Sequence, residues 1–106
     1  MSVIAAAILA YNAETKLPEL LKSLKGHVDV IVIGIDAKTT DKTRAIAEKA
    51  GAVVYDAPDV LTLTGGFAEA RNILFSHIPA NVEWVMWIDT DDVFCADRNL
   101  HAVVDE

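Results

Sequence analysis

Val3 to Ala10 is an unbroken apolar run of eight residues. A run that short, with no polar alternation, predicts a strand covered on both faces. In ETKLPELLKSLKG, Leu17, Leu20, Leu21 and Leu24 recur at helical spacing, and Gly26 marks the stop. Val28 to Ile35, rich in Val and Ile, predicts a second strand. KTTDKTRAIAEKAG predicts a helix capped by Thr40 or Asp41, with an apolar stripe of Ala45, Ile46 and Ala50 and an end at Gly51. Ala52 to Tyr55 predicts a third, shorter strand, and DAPDVLTLTGG a loop. GFAEARNILFSHI predicts a helix with Phe67, Ala70, Ile73 and Leu74 on one face. Glu83 to Ile88 predicts a fourth strand, and ADRNLHAVVDE a last helix.

Strands alternating with helices imply an α/β fold whose parallel sheet is joined by right-handed crossovers. The expected arrangement is Rossmann-like, strand order 3-2-1-4 with flanking helices. Ligands of such sheets sit beyond the carboxyl ends of the strands, at the switch point. There the chain places AYN (10–12), Asp36 and DTDD (89–92), so residues scattered in sequence gather along one rim.

The chain of 106 residues is sized for one domain, and at 53% hydrophobic it supplies an ordinary core. No internal repeat, linker or low-complexity stretch divides it. The formal charge of -7 argues against a broad basic face for nucleic acid. It leaves room for a small phosphate compound held through a cation. One cysteine, Cys95, excludes an internal disulfide and a multi-cysteine zinc site, and suits a reducing, cytoplasmic setting. The opening MSVIAAAILAYNAE has no basic residue before its apolar run and no small-residue cleavage site, so it reads as a buried strand. No run reaches the roughly 18 apolar residues of a membrane span.

The acidic cluster Asp89, Asp91 and Asp92 follows an apolar run directly. If strand geometry persists, Asp89 and Asp91 point the same way. Two carboxylates on one rim suit Mg²⁺, which fills its other positions with water and substrate phosphates. The alternative is a solvated turn in which Asp91 and Asp92 cap the last helix. Asp36 precedes the helix cap and is freer to meet a ligand than Thr40 or Asp41. Arg71 is either a ligand contact or a surface ion pair with Glu69. His27, His77 and His101 lie in different elements without ligand spacing, and Cys95 reads as a small hydrophobe. Trp84 and Trp87 face opposite sides of one strand, where packing is the default. Gly65-Gly66 is a weak phosphate-binding signal.

Four segments together resemble the N-terminal half of family 2 glycosyltransferases with the GT-A fold. AILAYNAETKLPELLKSL resembles the family's opening strand, turn and helix. VIVIGIDAKTTDKTRAIAEKAGA resembles its Asp-x-Gly-Ser-x-Asp-x-Thr stretch, FAEARNILF its Ala-Arg-Asn helix, and WVMWIDTDDVF its Asp-x-Asp motif. The four lie in register over nearly the whole chain. The resemblance implies that Tyr11 and Asn12 line the nucleotide pocket, Asp36 meets the base and Arg71 the nucleotide. It places Asp89 near the ribose and metal shell, and makes Asp91 the principal metal ligand. The implied cofactor is Mg²⁺ or Mn²⁺, the implied donor a UDP-sugar, and the implied reaction an inverting transfer to an acceptor hydroxyl.

The chain departs from the family's pattern at Ala37, where many members carry a second acidic residue, and at Lys38-Thr39 in place of Gly-Ser. Lys38 either alters nucleotide preference or lies on the surface. In the family the general base comes from the half after the Asp-x-Asp motif, so the catalytic base is unknown here. Residues 1–106 are expected to form a single nucleotide-sugar-binding domain truncated after that motif. Competing readings are a non-catalytic nucleotide-sugar-binding module or scaffold, and a nucleotidyltransferase-like enzyme. The latter's Gly-rich basic loop is not matched by AYNAETK. A half-domain is also expected to leave the fourth strand as an exposed edge that supports a homo-oligomer.

Overall fold

The computed structural model describes residues 3–58 and 66–90. Its elements are β1 (Ile4–Ala10), α1 (Leu17–Leu24), β2 (Val30–Asp36), α2 (Thr43–Lys49), β3 (Val53–Ala57), α3 (Gly66–Ser76) and β4 (Trp84–Asp89). The four strands form one parallel sheet in the order β3-β2-β1-β4, the expected arrangement. The expected last helix, with Cys95 and His101, lies outside the described residues, as do Asp91 and Asp92.

β1 is apolar throughout because it lies in the middle. Ala6, Ile8 and Ala10 pack with Leu17, Leu20 and Leu24 of α1, Ile33 and Ile35 of β2, Ala47 of α2 and Ile88 of β4. On the opposite face Ala7 packs with Val32 and Leu74, joined by Leu9, Val30, Tyr55 and Ile78. Alternate residues of β1 thus serve two cores, one under α1 and α2 and one under α3.

Several boundaries shift for local reasons. β2 starts at Val30, not Val28, because Asp29 acts as a clamp. Its N–H donates to the Ile4 carbonyl at 2.8 Å, and its carboxylate accepts the Ile4 N–H at 2.8 Å. α1 starts at Leu17 rather than at Glu14, with Pro18 in its first turn, where a missing N–H costs nothing. β3 runs past Tyr55 to Ala57 because parallel pairing with β2 continues to Asp36. Asp56 is held there by an ion pair with Arg44.

The expected stripe of α2 is corrected. Ala45 and Ala50 are exposed, and the inward face is Thr43, Ile46 and Ala47. A polar residue leads that face because Thr43, completely buried, spends its hydroxyl on hydrogen bonds. The helix is held at its start by Asp41, whose carboxylate accepts the Thr43 N–H at 2.9 Å and also the Thr43 hydroxyl. In α3, Ala70 and Leu74 are buried as expected and Ile73 is half-buried, while the Phe67 side chain lies outside what is described.

Trp84 and Trp87 depart from the packed default, being 50% and 38% exposed. β4 has β1 as its sole strand neighbour among the described residues. Trp87 meets the edge of Phe75 at a ring distance of 6.1 Å.

Candidate functional site

The carboxyl ends of β1, β2 and β4 meet at one rim. Ala10 pairs with Ile35, which brings Tyr11 level with Asp36, and Asp89 pairs with Leu9 on the other side. Three of the expected site residues therefore end or follow adjacent strands.

The turn after β1 is sewn to the turn after β2. Asn12 adopts a φ of 42°, a left-handed conformation that asparagine tolerates better than most residues. Its side-chain oxygen accepts the Thr40 N–H at 2.8 Å. The next amide, Ala13 N–H, donates to the Thr43 hydroxyl at 2.8 Å, and Glu14 N–H donates to the Asp41 carboxylate at 3.1 Å. Three consecutive residues of one loop are thus bonded to three residues of the other. The Thr43 hydroxyl, together with the backbone donors, holds the Asp41 carboxyl below its ordinary value.

Asp36 closes β2 and shapes the turn that follows. One carboxylate oxygen accepts the Lys38 N–H at 2.8 Å, and its carbonyl accepts the Thr39 N–H at 2.9 Å. The other carboxylate oxygen carries no hydrogen bond among the described residues. Tyr11 projects from the rim with 53% of its surface exposed, and the Lys38 ammonium stands 5.1 Å from its ring centre.

Arg71 lies on α3, not in the turns. Its guanidinium sits over the Trp87 ring, 5.8 Å from the centroid. Trp87 is two residues before Asp89 on β4, or about 7 Å along the strand. The structure therefore brings Tyr11, Asn12 and Asp36 together, and puts Arg71 beside the strand that ends in Asp89. Among the described residues no group of three His, Cys, Asp or Glu could hold a metal.

Sequence reasoning missed Thr43, the joint between the two turns. A threonine one position inside a helix start is ordinary, and nothing local marks its partner 30 residues away. It also missed Tyr55, which lies flat on His77 at 3.9 Å. Burial pushes the Tyr55 phenol up to about 12, and its hydroxyl oxygen has no hydrogen-bond partner among the described residues. His77, expected as an ordinary surface histidine, is exposed, with its ring Nδ1 2.9 Å from the Ile73 carbonyl.

A 3-2-1-4 parallel sheet whose β2, β1 and β4 end along one rim defines a Rossmann-like α/β domain, and its structural neighbours are GT-A glycosyltransferases. The chain belongs to glycosyl transferase family 2, whose family model matches residues 5–106. It is 33% identical over 89 residues to an uncharacterised glycosyltransferase of Rickettsia conorii, covering 84% of this chain and 29% of that protein. A second uncharacterised glycosyltransferase, from Rickettsia felis, is 30% identical over 92 residues, covering 87% of this chain and 30% of the other. Among solved structures, S. aureus TarS 1-349 in complex with UDP superposes with a TM-score of 0.67 at 26% identity, covering 97% of this chain and 30% of the TarS 1-349 chain. The chain thus spans about three-tenths of the length of the two Rickettsia proteins and of the TarS 1-349 chain. No helix among the described residues is long and apolar enough to cross a membrane.

Proposed function

We propose that this chain is the donor-binding part of a family 2 glycosyltransferase, and that its rim takes a nucleoside diphosphate sugar, a UDP-sugar in particular. The observation that carries the reading is the convergence of Tyr11, Asp36 and the end of β4 on adjacent strands. The similarity to a TarS structure that contains UDP supports it. In this reading Tyr11 and Asn12 form the wall of the nucleotide pocket, with Asn12 fixing the turn. Asp36 accepts an N–H of the base, and Arg71 and Asp89 lie along the nucleotide's path. Asp91 and Asp89 are the carboxylates for Mg²⁺ or Mn²⁺. That donor set fits the cation, which needs only one or two carboxylates when a diphosphate supplies further oxygens. The cation would offset charge on the leaving diphosphate.

The whole enzyme's reaction is an inverting displacement. An acceptor hydroxyl oxygen bonds to the anomeric carbon, its proton passes to a base, and the bond to the diphosphate breaks. No residue of this chain is assigned as that base. The single cysteine fits a cytoplasmic setting for the reaction.

Titration calorimetry with UDP, in Mn²⁺ and in chelator, tests the reading. Mn²⁺ is expected to strengthen UDP binding. Asp91→Asn should bring binding down to the chelator level, because it removes an anionic oxygen that replaces the cation's lost water. Asp92→Asn should change it less. Equal binding in chelator, or equal losses in the two variants, would remove Asp91 from its role. Rapid sugar transfer to added acceptors would show a base within these residues.

We also propose that the isolated chain pairs with a second copy of itself along β4. Among the described residues no strand pairs with the outer side of β4, and Trp84, Val85 and Trp87 are exposed on it. One edge strand meets its own copy antiparallel about a two-fold axis, which closes the assembly. Sedimentation should give a dimer that Val85→Lys converts to monomer. A monomeric wild type at high concentration would sink the idea.

A further inference from the structure

We propose that Lys38 reads the base of the donor nucleotide. With Asp36 it forms a donor–acceptor pair that selects a base presenting an imide edge, an N–H beside a carbonyl, as uracil does. This rests on the reading that the rim takes a nucleoside diphosphate with its base at Tyr11.

The position of Lys38 is fixed by its neighbours. Its own N–H is held by the Asp36 carboxylate at 2.8 Å, and the Thr39 N–H by the Asp36 carbonyl at 2.9 Å. The Thr40 N–H is held by Asn12 at 2.8 Å. Three successive amides of this turn are therefore pinned, two of them by Asp36 itself. From that anchored backbone the Lys38 side chain reaches to the Tyr11 ring, with its ammonium 5.1 Å from the centroid, inside the range of a cation–π contact. One flat aromatic surface, one carboxylate and one ammonium thus stand together at the ends of β1 and β2.

The three groups differ in what they ask of a ligand. The exposed Tyr11 ring offers stacking to any base and discriminates little. A carboxylate only accepts hydrogen bonds, and an ammonium only donates them. The Asp36 oxygen not engaged by Lys38 is matched by a ring N–H. The Lys38 ammonium is matched by the carbonyl beside that N–H. Its four-carbon stem lets it move from the face of the ring to the edge of a base that stacks there. Uracil satisfies both groups at once. Cytosine satisfies neither, since it turns a ring nitrogen lone pair to the carboxylate and an amino group to the ammonium. The same geometry rejects adenine. Guanine carries the same N–H and carbonyl pair and is separated from uracil only by size.

Calorimetry with UDP, CDP, ADP and GDP in Mn²⁺ tests the inference on the wild type, Lys38→Met and Lys38→Arg. Lys38→Met keeps the stem and removes the donors. It is expected to weaken UDP binding about tenfold, the loss of one charge-assisted hydrogen bond, and to leave CDP and ADP binding as they were. Lys38→Arg, which retains donors, should keep the preference for UDP over CDP. Three outcomes overturn the inference while leaving the donor reading intact. They are unchanged UDP binding in Lys38→Met, equal weakening of all four nucleotides, which would make Lys38 a phosphate contact, and a wild type that binds CDP as tightly as UDP. A wild type that binds none of the four overturns the donor reading itself, and this inference with it. Circular dichroism of both variants, matching the wild type, confirms that the comparison is between folded proteins.

Discussion

Thr43→Val is expected to destabilise the domain by about 3 kcal/mol, the upper end for orphaning a buried donor. Thr43 is completely buried, and valine copies its shape without its hydroxyl. The substitution leaves the Ala13 N–H, on a residue only 4% exposed, without its acceptor. It also takes from Asp41 the hydroxyl that donates to it. In a domain of this size such a loss lowers the Tm by roughly 10–20 °C. Thr43→Ser retains the hydroxyl and removes one methyl group, a cost of about 1 kcal/mol. Thermal denaturation of the two variants separates the hydroxyl from the methyl. Equal losses would show that packing alone matters there. The acid side of the stability curve carries the same signature. The folded Asp41 carboxyl titrates below its ordinary 3.8. Its contribution is therefore fully present above that value and is lost as pH falls through the lowered folded pKa. Thr43→Val should flatten that acid limb.

Gly34→Ala is expected to cost about 2 kcal/mol, within the range of an overpacked core. A Cβ on Gly34 would stand 2.5 Å from the Tyr55 hydroxyl oxygen, 2.6 Å from Cζ and 2.9 Å from Leu9 Cδ2. Tyr55 lies flat on His77, so a shift of its ring away from Gly34 disturbs that contact. In a Tyr55→Ala background the two shortest contacts are gone, and the end of the Leu9 side chain can shift into the space that the ring leaves. There alanine should be neutral or favourable, since glycine within a strand is the more costly residue. Urea titration of the four proteins of this double-mutant cycle measures the coupling. Additive losses would show that Tyr55 is not what excludes a side chain at Gly34.

The strand order was legible because the apolar runs were short, evenly separated by helical patterns, and of one kind. β1 announced its central place by having no polar residue from Val3 to Ala10. The face of α2 was not legible. Its most buried residue after Ala47 is a threonine, and a periodicity built on apolar residues passes over it. The extension of β3 to Ala57 was hidden because Asp56 looks like a loop residue until its pairing and its contact with Arg44 are known. At the site, Asp36 and Tyr11 could be placed on a rim from strand ends alone. The division of labour inside the rim could not. Asn12 has the composition of a ligand contact, yet its oxygen is given to Thr40. Only the three-dimensional register shows which amide lies across from it. The Asp-x-Asp reading rests on the sequence alone, since Asp91 and Asp92 lie outside the described residues.

The three bonds that join residues 12–14 to residues 40–43 have a bearing on how a ligand is received. Two separate loops would each lose conformational entropy on closing around a guest, and that loss would be subtracted from affinity. Here both are immobilised when the chain folds, so the walls are already rigid on arrival. The same bonds make the shape of the rim depend on the first turn of α2. Fraying at Thr43 would release Ala13 and Asp41 together, and with them the spacing between Tyr11 and Asp36. A residue on the helix would thereby set the width of the rim for any ligand that it takes.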